Sequence, residues 1–147
     1  MAFKDGPFVQ VACFCEMVLE DKTGVLTLIR VIDTITQTAA GPNPPEDMPP
    51  MSFNTRLVIM LKSGEARGRS TLKVVPQLPT GATKSPIDIT VYFDGDERGQ
   101  NVITNMTFVC EMEGLYWFNL YIDNEKLTAI PLRVKYNRVI ATSTPTL

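Results

Sequence analysis

Hydrophobic and polar residues alternate along most of this chain with a period of two, the signature of strands whose side chains point to opposite faces in turn. The clearest instance comes late. Tyr116, Phe118, Leu120 and Ile122 share one parity, while Trp117, Asn119, Tyr121 and Asp123 share the other. Upstream, Met106, Phe108, Cys110 and Met112 alternate with Thr107, Val109 and Glu111; downstream, Ile130, Leu132 and Val134 fall on one face with Arg133 between them. Glu113-Gly114 reads as a reversal and Asn124-Glu125 as a tight turn, so residues 104–136 are predicted to be three consecutive antiparallel strands. Pro131 has no N–H for a ladder, which places the last strand at an edge or puts Pro131 at a bulge.

The rest of the chain repeats the pattern. Over residues 8–20, Val9, Val11, Cys13, Cys15, Met17 and Leu19 oppose Gln10, Glu16 and Glu20, and Asp21-Lys22-Thr23-Gly24 follows as a hairpin turn. Residues 25–36 differ, being apolar on both parities and interrupted only by Arg30 and Asp33. That pattern predicts a central strand covered on both sides, or one whose outer face is covered by a partner. Residues 39–50 are dense in proline and cannot enter a ladder. They read as a strap crossing between sheets, with a proline-rich ligand for a partner as the alternative. Further strands are expected over residues 52–62, 69–77 and 87–93.

No segment keeps a helical period over three turns. The expectation is an all-β, antiparallel sandwich of about seven to nine strands, favoured over a closed barrel. One domain over residues 1–140 accounts for it, and residues 141–147 read as a polar, fraying tail.

Composition narrows the function. A net charge of −2 with scattered Lys and Arg gives no electrostatic footprint for nucleic acid. No apolar run is long enough to cross a bilayer, and the first residues lack the pattern of a signal peptide, so a cytoplasmic location is expected. Three cysteines without paired spacing agree with a reducing compartment. Histidine is absent from the sequence, which removes Ser-His-Asp and Cys-His catalysis and ordinary zinc sites. An enzyme would have to gather carboxylates such as Glu16, Asp33 and Glu111. None is expected, and no cofactor or metal is implied.

Four smaller constellations remain. Cys13, Cys15 and Cys110 could offer thiolates to a soft metal, but without a fourth ligand they read as core filling. The run Asp94-Gly-Asp-Glu-Arg-Gly99 echoes a calcium loop, yet its fifth position is Arg98 and its twelfth Asn105. An acidic loop set of Asp88, Asp94, Asp96 and Asp123 is the weaker cation candidate, against a plain solvated turn. Asn105-Met-Thr107 fits a glycosylation pattern inside an expected strand, where coincidence explains it better. The outward aromatics Trp117 and Tyr121, with Tyr92 and Tyr136 on other strands, are the candidate interface residues, for a subunit or a ligand, unless the proline strap covers them.

Two pairs of stretches, Phe14-Cys15-Glu16 with residues 24–33 and residues 113–118 with 130–134, resemble a family of uncharacterised bacterial proteins. Its domain, of unknown function, is an immunoglobulin-like sandwich. The likeness spans both ends, is loose in the middle and rests on structural motifs. It implies that fold and no activity. The functional expectation is a non-catalytic sandwich acting by association, as a homo-oligomer or accessory subunit. The alternative is a small-ligand or carbohydrate-binding module using Trp117 and Tyr121.

Overall fold

The computed structural model describes residues 5–141. They form nine strands: β1 (Phe8–Glu20), β2 (Leu26–Ile32), β3 (Thr34–Gly41), β4 (Met51–Gly64), β5 (Gly68–Gln77), β6 (Ile87–Phe93), β7 (Asp96–Cys110), β8 (Gly114–Ile122) and β9 (Glu125–Ile140). A first sheet runs β2-β1-β4-β7 and a second runs β3-β9-β8-β5-β6. Among the described residues there is no helix, and therefore none long and apolar enough to cross a membrane. Residues 142–147 of the expected tail lie outside the described residues; Ala141 itself donates its N–H to the Gly41 carbonyl.

The two inner faces meet in one core. Leu57, Ile59 and Leu61 come from β4, Leu72 and Val74 from β5, Phe118 and Leu120 from β8, and Leu132 from β9. Phe118 packs edge-on against Phe14 (ring centroids 4.8 Å) and Phe108 (5.2 Å), which ties the sheets together across the middle.

Several expectations needed correcting. β7 lies in the first sheet while β8 and β9 lie in the second, so residues 104–136 are not three paired strands. Glu113-Gly114 carries the chain from one sheet to the other, because alternation assigns a residue's face but not its strand's neighbour. Residues 25–36 are two strands rather than one. The chain breaks at Asp33 and changes sheet, with Arg30 already in a left-handed conformation (φ 55°). β2 is consequently an edge strand, not a central one. One pair is parallel: β3 runs alongside β9 from Thr34↔Arg133 to Gly41↔Ile140.

The closing turn sits one residue earlier than expected. Asp123 and Asn124, both with positive φ (46° and 72°), form a two-residue loop between Ile122 and Glu125. Pro131 belongs to an interior strand, yet the edge argument holds locally. β3 begins only opposite Arg133, whose N–H donates to the Asp33 carbonyl at 2.9 Å. Pro131 has the same parity, so its missing donor falls where β9 still has an open edge.

A shift of register between Val9 and Val11 reverses the parity of β1. Val9 points inward before it, and Ala12 and Phe14 point inward after it. Cys13 and Cys15 therefore sit on the outer face, and only Cys110 fills the core. The proline segment does link the two sheets, from β3 to β4. Met48 packs into the core, and the strap is held by Tyr136, whose phenol donates to the Pro45 carbonyl (2.7 Å), and by Arg138 on the Pro44 carbonyl (3.0 Å).

Candidate binding surfaces

With the inner faces spent on the core, binding chemistry falls to the two outer faces. The outer face of the first sheet is apolar along β1 and β2, whereas β4 and β7 add Asn54, Arg56, Asn101, Asn105 and Thr107 to it. Cross-strand register places Val31, Cys15 and Arg56 in one row and Cys13, Val58 and Ile103 in the next. Val58 and Cys15 are fully shielded by their neighbours, whereas Met17 (47% exposed), Leu19 (51%) and Val31 (59%) face solvent. Burial raises the thiol pKa values of Cys13 and Cys15, the neighbouring Cys15 adding to the shift of Cys13. Both remain protonated, small and apolar at neutral pH.

The same sheet carries a projection. β1 pairs with β4 only as far as Cys15↔Arg56, while β1 and β2 stay paired out to Glu20↔Leu26. Beyond Cys15 the hairpin is thus a two-stranded ribbon. Met17, Leu19 and Ile29 lie on one of its faces and Val18, Leu26 and Leu28 on the other, all outside the core cluster. Its tip is rigid for a turn: the Asp21 carboxylate accepts hydrogen bonds from Thr23 and Val25, which holds its pKa below the usual carboxylate range. At its base a hollow of about 360 Å³ opens between the ribbon and β4–β7, lined by Glu16, Asn54, Arg56, Asn105 and Thr107.

The outer face of the second sheet is polar and cationic. Arg69 and Lys73 on β5 and Arg133 and Lys135 on β9 share it with threonines 34, 36 and 38 of β3. Down its middle runs β8: Trp117 between Gln77 and Pro131, Asn119 between Val75 and Ala129, Tyr121 between Lys73 and Lys126. Gln77, Trp117, Asn119, Lys126 and Ala129 line a shallow hollow of about 260 Å³.

Of the four aromatics singled out in the sequence, Trp117 and Tyr121 share this strip, and Tyr92 lies exposed on β6. Tyr136 does not join them. It has the inward parity, packs against the core and is tied to the proline strap, which covers the end of the sandwich and leaves Trp117 37% exposed. Gln77 and Lys126 were not identified from sequence, since they reach Trp117 only through strand pairing and a register shift at Leu120/Tyr121.

The remaining candidates do not gather. Glu16, Asp33 and Glu111 are all exposed, and Glu16 and Glu111 line different hollows. Glu16 is paired with Arg30 at 3.2 Å. Asp88 and Asp123 share a hollow with Lys73 beside the β8–β9 turn, whereas Asp94 and Asp96 lie past the far end of β6, Asp96 facing Arg67 at 3.6 Å. Among the described residues no three Cys, Asp or Glu side chains come together as a metal site. Asn105 stands on the outward side of β7, beside the ribbon hollow.

No curated protein matches the chain. A family of unknown function, DUF6941, matches residues 10–135, which takes in every strand, β1 and β9 short of their outer ends. Over most of its length, the chain belongs to that family of unknown function.

Proposed function

We propose that this protein is a non-catalytic, immunoglobulin-like sandwich of bacterial origin and cytoplasmic location. It acts by association, as a homo-oligomer or an accessory subunit, through the β1–β2 ribbon and the outer face of the first sheet. One observation carries the reading: β2 is apolar on both parities yet sits at a sheet edge, in a ribbon that nothing else in the described chain sandwiches. Contiguous apolar surface of this kind marks interaction sites in soluble proteins.

The immunoglobulin-like assignment draws support from Tyr116. It opens β8 just after the chain crosses between sheets, and its phenol donates back to the Met112 carbonyl (2.7 Å), the arrangement of a tyrosine corner. The non-catalytic reading is supported by the missing histidine and the scattered, exposed carboxylates. Three free thiols suit a reducing compartment.

Light scattering tests the self-association branch. The expected mass is a multiple of 16.4 kDa that falls to the monomer in Met17→Lys and Val31→Lys variants. For the accessory-subunit branch, a photo-crosslinker at Val31 should give one defined adduct in cells. A strictly monomeric wild type that forms no such adduct would sink the reading.

A further inference from the structure

We propose that the hollow around Trp117, on the face opposite the association surface, binds a pyranose sugar bearing a carboxylate, as in uronic-acid oligosaccharides. The proposal stands independently of the association reading. Its centre is Asn119, which is only 6% exposed and lines the hollow. The Asn119 Nδ2 donates to Gln77 Oε1 (3.1 Å) and lies 3.5 Å from the Val75 carbonyl. That bond orients the Asn119 amide, and among the described residues Asn119 Oδ1 and Gln77 Nε2 take part in no further hydrogen bond, which leaves one acceptor and one donor.

Vicinal sugar hydroxyls donate and accept in turn and match such a pair. The Trp117 ring supplies an apolar platform next to it, on which the C–H face of a pyranose can lie. Lys126 adds an ammonium group, and no acid lines the hollow. An anionic substituent therefore fits better than a neutral sugar. Arg133 beyond Pro131 extends the positive strip at one end, whereas at the other Lys73 sits beside Asp88 and Asp123; a chain longer than one unit would run toward Arg133.

A single-stranded nucleic acid also uses aromatics and cations, but it stacks successive bases on neighbouring rings. Here the next aromatic, Tyr121, lies four residues from Trp117, roughly 13 Å along the strand. The intervening position carries hydrogen-bonding amides. The observations favour the sugar.

Trp117 is the sole tryptophan of the chain, so its fluorescence reports on this hollow alone. Titration with trigalacturonate should give a saturable change in intensity or wavelength. By calorimetry, Lys126→Gln should weaken binding about tenfold, the effect of losing one charge-assisted hydrogen bond, and Gln77→Ala should weaken it as well. The thermal melt of Lys126→Gln should match wild type, while that of Gln77→Ala, which takes a partner from the buried Asn119 amide, should be somewhat lower. The proposal is overturned by the absence of a saturable response, by equal binding of neutral maltotriose, by tighter binding of oligothymidylate, or by a Lys126→Gln variant that binds like wild type.

Discussion

The two outer faces of this sandwich are built on the same pleat, yet they carry opposite surfaces. On the first sheet the outward positions include Met17, Cys15, Val58 and Ile103; on the second they include Thr36, Arg133, Trp117 and Lys73. Each face backs onto the same core, so folding does not account for the difference. Leaving Met17, Leu19 and Val31 in water forgoes about 25 cal/mol for every Å² that burial would remove. A second surface laid over them would recover it. The second sheet exposes fewer aliphatic side chains, its outward aromatics Trp117 and Tyr92 standing among cations and hydrogen-bonding groups.

The comparison can be broken first through what the faces share. Phe118 touches Phe14 and Phe108 across the sandwich, and Phe118→Ala should cost about 3–5 kcal/mol by cavity formation. Chemical denaturation would show it, with loss of both faces in one transition.

Alkaline pH acts next, and most strongly on the core side. Burial pushes the Cys110 thiol from 9.0 up to about 11, against the opposing influences of Tyr116 and Lys84. Well below pH 9 the thiol is protonated in folded and unfolded chains alike, so its contribution is fully present, and the decline begins as the unfolded chain ionises near pH 9. As pH climbs through about 11 that contribution is lost, at most about 2–3 kcal/mol. Urea titrations at pH 7.5 and 10.5 should show the decline, and Cys110→Ala should flatten it more than Cys13→Ala does.

Tyr116→Phe deletes the hydrogen bond to the Met112 carbonyl at the crossing between sheets. A loss of about 1 kcal/mol in thermal or urea unfolding is expected, without change in association. The smallest effect on stability separates the faces most sharply. Val31→Lys and Thr36→Lys should each shift stability by no more than about 0.5 kcal/mol. Only Val31→Lys should change the mass measured by light scattering.

Much of the fold could be read directly. Alternation predicts the first strand over the residues it occupies, Phe8–Glu20, and the shared parity of Tyr116, Phe118, Leu120 and Ile122 is the parity of the core. The proline segment reads as a crossing between sheets because proline cannot enter a ladder, and it joins β3 to β4 across the sandwich. The candidate site was less legible. Trp117 and Tyr121 were identified by parity, whereas Gln77 and Lys126 come from distant strands and meet them only in the folded sheet. Tyr136 reads as an outward aromatic in the sequence and is held inside by the Pro45 carbonyl.

Local sequence determined which residues of most strands face together, since alternation is a property of a single chain segment. Partnership between strands depends on contacts far apart in sequence. Only the tertiary structure decided that β7 and β8 part company, that β3 runs parallel to β9, and that β2 ends at an edge. The register shift at Val9/Val11 belongs to the same class. One extra residue against β4 turned Cys13, Cys15 and Met17 outward and exchanged an expected core face for an apolar surface.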